Sequence, residues 1–213
     1  MNLTKRNITN WLLGLIILSM GISFAIISEK GLTSYDASWT NLSLLLNISV
    51  GTASLIFASV FLVVILIIDF KIVYLFCVLS NIIIGYTVEF FMKFIFSNVE
   101  IYNLGWFYFF FAVLLICLGV TFFIKSNLPP SVPEQFMLTL VKVFKTDNLK
   151  LVKVGVDFFF LITALLFSLL AGEGLGYVSF GTLILALAMG PVIGFYSNLY
   201  DSLFMSKKQV TRF

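Results

Sequence analysis

The residues able to do chemistry in this chain are few, and they are carboxylates in apolar company. Glu89 stands in NIIIGYTVEFFMKFIF with Lys93 four residues on, one helical turn away and in the favourable acid-then-base order. A carboxylate in hydrocarbon costs at least about 2.5 kcal/mol on insertion scales. Glu89 is therefore either half of an ion pair that snorkels outward or a proton or cation site with a raised pKa. Asp157, in VKVGVDFFFLI, follows Lys153 by one turn and lies near enough to the end of its run to snorkel. Asp36 and Glu134 complete the patterns Thr33-x-x-Asp36 and Ser131-x-x-Glu134, a helix-start spacing in which the acid reaches back to free amide groups. Trp39 then faces the membrane interface, where indole is favoured, or a cavity.

Other chemistry is poorly supplied. The chain has no histidine, which removes the commonest metal ligand and the usual base near neutral pH. Cys77 and Cys117 sit inside apolar runs without a CxxC pattern and read as inert packing residues. There is no GxSxG, HExxH or phosphate loop, so no enzyme, metal site or cofactor is expected.

The elements that must position these groups are membrane helices. Of 213 residues, 61% are hydrophobic and 11% charged, against about 25% charged in a soluble domain, so the solvent is lipid. Six apolar runs read as spans: 11–27, 52–68, 72–96, 106–124, 154–170 and 177–204. Two shorter segments, 34–47 and 131–145, are too short to cross and too apolar for plain loops. The second is amphipathic, with Phe136, Leu140 and Phe144 at four-residue spacing. In the first span Gly14 and Gly21 share a face with Ser19 and Ser23 nearby, so a neighbour can approach closely.

The stretch GTLILALAMGPVIGFYSNLYD, 181–201, carries Gly190-Pro191 at its middle. Proline lacks an N–H and crowds the preceding turn, and a carbonyl freed in hydrocarbon needs a partner within the protein. A break there is expected to pack on neighbours or to line a cavity, as in transporter binding sites; the alternative is a packing kink in a structural helix. Beside it and Gly85, the groups that could line a pathway are Tyr35, Asn81, Tyr86, Thr87, Thr182 and Asn198; each alone also serves as a helix-to-helix hydrogen bond.

With the N-terminus in the cytoplasm, eleven basic residues fall inside (Lys5, Arg6, Lys71, Lys125, Lys142, Lys145, Lys150, Lys153, Lys207, Lys208 and Arg212) and two, Lys30 and Lys93, outside. That bias sets both termini in the cytoplasm. The lysines read as topology signals and lipid contacts, with no nucleic-acid surface.

The chain also repeats. LSMGISFAI at 18–26 resembles ICLGVTFFI at 116–124, an offset of 98 at which Asp36 falls on Glu134. Ser49-Val50-Gly51 falls on Lys153-Val154-Gly155 at 104, and Ile84-Gly85 on Met189-Gly190 at 105. The growing offset places a small insertion between the short segment and the next span. Each half reads as span, short segment, span, span, over about 11–98 and 106–205 within one integral membrane domain. Three spans are odd in number, so successive units face opposite ways, the inverted-repeat plan of many carriers.

These residues carry a resemblance. LGLIILSMGIS, KGLTSYDASWTNLSLLLNISVGT and NIIIGYTVEFF resemble the first half of the YczE/YyaS/YitT-type bacterial integral membrane proteins, and LGYVSFGTLILALAMGPVIGFY their second half. The link NLPPSVPEQ departs from the glycine-containing pattern there. The resemblance implies a multi-span protein of the bacterial cytoplasmic membrane and a permease without a settled substrate. The expectation is thus an all-α membrane protein of six spans in two inverted repeats, each with a short extra helix, that moves a small solute. Its candidate binding residues are Glu89, Asp157, Gly85, Gly190, Pro191, Asp36, Trp39, Thr182 and Asn198. The alternative is a non-transporting membrane subunit, substrate-capturing or docking a partner through 131–153.

Overall fold

The computed structural model describes residues 4–97, 104–128, 131–146 and 148–204. The basic tail with Lys207, Lys208 and Arg212, and most of the link between the third and fourth spans, lie outside them. All regular structure among the described residues is helical: α1 Lys5–Ser28, α2 Ser34–Leu46, α3 Val50–Ile68, α4 Leu75–Phe90, α5 Gly105–Lys125, α6 Val132–Phe144, α7 Leu149–Ala171 and α8 Phe180–Phe204. A 3-10 turn, Ile72–Tyr74, leads into α4, and a wide π-type turn, Phe91–Ile95, prolongs it. Six of these stretches are long and apolar enough to cross a membrane; α2 and α6 are not.

Local chemistry repeats with the sequence. Residues at positive φ end α1 at Glu29 and α2 at Asn47; Asn127 and Lys145, each 98 later, do the same after α5 and α6. Ser28 donates to the Ala25 carbonyl and accepts from the Lys30 amide, and Ser126 does so with Phe123 and Leu128. α2 and α6 begin and end 98 residues apart. The later growth in offset falls largely inside α7, which has 23 residues against 19 in α3; the intervening link gains only one residue. The insertion expected in the link is mainly an extra helical turn.

The central contact joins α1 to α5. A Cβ added at Gly14 would lie 2.7 Å from the Phe123 amide nitrogen, at Gly119 2.5 Å from that of Leu18, and at Gly21 2.8 Å from that of Ile116. The partner number falls on α5 as it rises on α1, so the helices run antiparallel, with backbones as close as the small residues permit. Gly21 and Gly119 are equivalent in the repeat, as are Leu18 and Ile116, so the Gly21–Ile116 approach is the mirror in sequence of Gly119–Leu18.

The short helices cross between the halves. α2 runs parallel to α7: Ser38 Oγ donates to the Phe160 carbonyl at 2.8 Å, and Asn41 Nδ2 to that of Ala164 at 2.9 Å. α6 runs parallel to α3: Val132 lines one small cavity with Ala58 and Leu62, the Phe136 ring lies 5.0 Å from Phe61, and Lys142 reaches Asp69 at 2.6 Å. Phe160 lies near the middle of α7 and Ala58 near the middle of α3. Both short helices therefore start about half-way along the spans they follow.

At the start of α8, the Gly181 amide and the Ser179 hydroxyl both donate to the Lys30 carbonyl, and the Leu32 amide donates to that of Tyr177. A Cβ at Gly181 would collide with the Lys30 carbonyl oxygen. Gly181→Val should cost about 3 kcal/mol through this backbone clash, read as a lowered melting temperature in detergent; an unchanged melt would remove the clamp.

Candidate functional site

The groups that the fold gathers are those at the start of the short helices. Thr33 caps α2: its Oγ1 accepts from the Asp36 amide at 3.1 Å and donates to Asp36 Oδ2 at 2.6 Å. Asp36 Oδ1 accepts from Trp39 Nε1 at 3.2 Å. The cap expected at Thr33 is present, but the carboxylate takes a hydroxyl and an indole as partners. Trp39 is 1% exposed; it is a partner of Asp36, not an interface residue, because α2 is packed inside the bundle along α7. The equivalent Ser131 makes no side-chain cap. Pro133 in the first turn needs no N–H partner.

The fold holds the equivalent acids within electrostatic reach of each other. Glu134 and Lys153 are within electrostatic reach of Asp36, and Lys153 and Asp157 of Glu134. Burial pushes the Asp36 carboxyl up to about 6, against the lowering hydrogen bonds from Thr33 and Trp39. Burial also raises Glu134, opposed by Lys153, although its surface is exposed. Tyr35, neighbouring Asp36, packs its ring 5.5 Å from Phe57 and 5.1 Å from Phe160. Its buried hydroxyl has no hydrogen-bond partner among the described residues, and burial, then Asp36 and Glu134, keep it protonated. An orphaned buried hydroxyl costs about 1–3 kcal/mol.

This cluster holds three acids and one lysine. Two acids of raised pKa within reach of each other take up protons as a pair, and a cation or cationic group would relieve the same repulsion. Sequence reasoning assigned Asp36 and Glu134 to capping and so missed that they lie within electrostatic reach of each other; the repeat offset, which aligns them, was the available signal.

The remaining candidates are elsewhere. Glu89 pairs with Lys93 and accepts from Ser49 Oγ at 2.8 Å, tying the end of α4 to the start of α3. Gly85 lies beside it: a Cβ on Gly51 would be 2.7 Å from the Gly85 carbonyl. Asp157 pairs with Lys153 at 2.6 Å. Thr182 is buried in the α8 clamp, accepting from the Ser179 amide at 3.2 Å. Gly190, Pro191 and Asn198 are exposed on α8. α8 runs through Pro191 as one helix, since a proline removes one ladder bond and need not end the helix. The expected break packed on neighbours is not there; the chain breaks of the centre are the links that start α2 and α6.

A family model, described as a family of unknown function (DUF6198), matches residues 5–198. The chain belongs to DUF6198. No curated protein and no solved structure matches it. The match covers all six candidate spans of this DUF6198 protein apart from the last turns of α8. In the basic segment 131–153, Lys142 is engaged within the DUF6198 chain. It donates to Asp69 at 2.6 Å and to the Tyr74 hydroxyl at 3.2 Å, and that bond holds the Asp69 carboxyl down at about 2.

Proposed function

We propose that this chain is a small-solute carrier of the bacterial cytoplasmic membrane, both termini cytoplasmic, built of two inverted three-span units whose short helices meet at a proton- or cation-binding centre. The observation that carries this reading is the pairing of equivalents. α1 and α5 cross antiparallel with reciprocal contacts, and α2 and α6 each lie along a span of the other half. A two-fold axis across the helices produces such reciprocity, and for spanning helices it lies in the membrane plane, the carrier plan of opposed units. Asp36 and Glu134, equivalent in the repeat and within electrostatic reach of each other, support this reading. They take the coupling role expected of Glu89, which the geometry makes a clip between α3 and α4.

Purified protein in liposomes tests this. Applied proton gradients should drive solute flux, or a solute should drive proton flux, and Asp36→Asn or Glu134→Gln should lower it at least tenfold. Glu89→Gln keeps an acceptor for Ser49 and loses only a largely solvated pair, worth less than about 1 kcal/mol, so its flux should stay within twofold of wild type. Flux insensitive to both central variants but lost in Glu89→Gln would return the role to Glu89.

The rival, an accessory subunit docking a partner through 131–153, is favoured by exposed Val143 and Phe144 at the inner end of α6. With Lys142 held by Asp69, that surface is smaller than the sequence suggested. A stoichiometric partner lost on Phe144→Glu would support it.

A further inference from the structure

The two halves match in chemistry but not in closure. In the first half, α3 and α4 touch through Gly51 and Gly85: a Cβ on either would lie 2.7 or 3.1 Å from the other's carbonyl oxygen. Ser49 and Glu89 fasten the same end. The repeat equivalents are Gly155 on α7 and Gly190 on α8. There a Cβ would meet nothing within 4 Å at either position, both are exposed, and α7 has no packing on α8 comparable to that of α3 on α4 among the described residues. α8 does keep its other symmetry-matched neighbour, since it packs on α5 as α4 packs on α1. Among the described residues the packing of α4 on α6 likewise has no comparable counterpart between α8 and α2, so α8 stands off from the same side at both places.

We infer that α8 closes on α7 through Gly190 against Gly155, and that this structure is the conformer in which the second-half gate is open and the first-half gate shut. This rests on the repeat equivalence used for the carrier reading. What covers the open face is given by the counterpart pair: the same two helix types, with glycine at the same repeat positions. The device for movement is also in α8. Pro191 has no N–H to give the carbonyl one turn before it, that of Leu187, so the helix is weakest beside the contact. The start of α8 is clamped to Lys30 through Gly181 and Ser179, and its far end is tied by Asn10 to the Tyr200 hydroxyl and by Lys125 to Asp201, which leaves the turns around Gly190-Pro191 as the part that bows toward α7, with the proline as its hinge. On the topology set by the basic residues, the shut pair lies toward the outer side and the open pair toward the inner.

The test is a disulfide in native membranes. Gly155→Cys with Gly190→Cys, treated with a mild oxidant, should form an intramolecular bond, seen as a thiol-reversible mobility change at monomer mass. The single-cysteine variants control for Cys77 and Cys117. No bond above those controls overturns the inference. A bond only between two chains, at dimer mass, also overturns it, because a second copy would then cover the face. A companion variant separates gating from folding: Gly155→Leu meets open space here and should melt within about 2 degrees of wild type, yet reduce at least fivefold the bond formed by a second exposed pair one turn away, Leu151→Cys with Gly194→Cys. The cross-link readout is independent of transport. A bond without flux leaves closure standing and removes the carrier reading; flux without a bond does the reverse.

Discussion

Gly119→Leu should abolish folding, with little monomeric protein recovered from detergent and no cooperative melt. The reason is where the side chain would go. The first added carbon would lie 2.5 Å from the Leu18 amide nitrogen and 2.8 Å from the Gly14 carbonyl, and backbone atoms cannot rotate aside as a flexible side chain can. Overpacking a core costs about 1–3 kcal/mol when side chains can adapt. Here two spans must separate along their closest line, so the loss exceeds that range. The reciprocal change, Gly21→Leu, drives a carbon to 2.8 Å from the Ile116 amide nitrogen and should fail in the same way. Equal damage from the two is what a two-fold relation between α1 and α5 demands; a harmless Gly21→Leu beside a ruinous Gly119→Leu would break it.

The second large effect is on pH dependence. Burial lifts Asp36 in the folded chain to about 6 from an ordinary 3.8, so the folded state holds this proton more tightly than the unfolded one. The contribution of Asp36 to stability is therefore greatest in acid. It declines as pH climbs from about 4 to about 6, and above that the ionised carboxylate costs the fold about 3 kcal/mol. Asparagine cannot ionise. Asp36→Asn should match wild type near pH 4 and exceed it near pH 8, with melts across that range as the measurement. The charges facing Asp36 are Glu134 from α6 and Lys153 from α7, with Asp157 acting on Glu134, while α3 offers the neutral Phe57 to neighbouring Tyr35. Glu134 is shifted the same way, so a smaller slope of the same sign should persist in Asp36→Asn and vanish on adding Glu134→Gln. Identical pH profiles for wild type and Asp36→Asn would show that Asp36 is not the buried acid described.

Much of the architecture could be read from residues alone, and the physics says why. Spans announce themselves by length and hydropathy, and the short helices 34–47 and 131–145 were expected within a residue or two of Ser34–Leu46 and Val132–Phe144. The Gly14, Ser19 and Gly21 face was read as a close-approach surface, and α5 occupies it. What escaped was which apolar face is inside. In lipid the outer surface is as apolar as the core, so periodicity does not tell Trp39, fully buried, from an interface indole, nor Gly190-Pro191, exposed, from a packed kink. The acids at 36 and 134 were legible as a spacing but not as groups within electrostatic reach of each other, because that depends on the two links that carry the short helices into the bundle.

The crossing of α2 to α7 has a consequence for how the chain is made. Ser38 and Asn41 are buried and bonded to carbonyls of Phe160 and Ala164, residues that leave the ribosome more than a hundred positions later. Until then α2 has amide and hydroxyl groups without their final partners, in a membrane that supplies none. Early in synthesis this segment must wait at the lipid headgroups or in the insertion machinery, and its entry is the step that welds the nascent first half to the second.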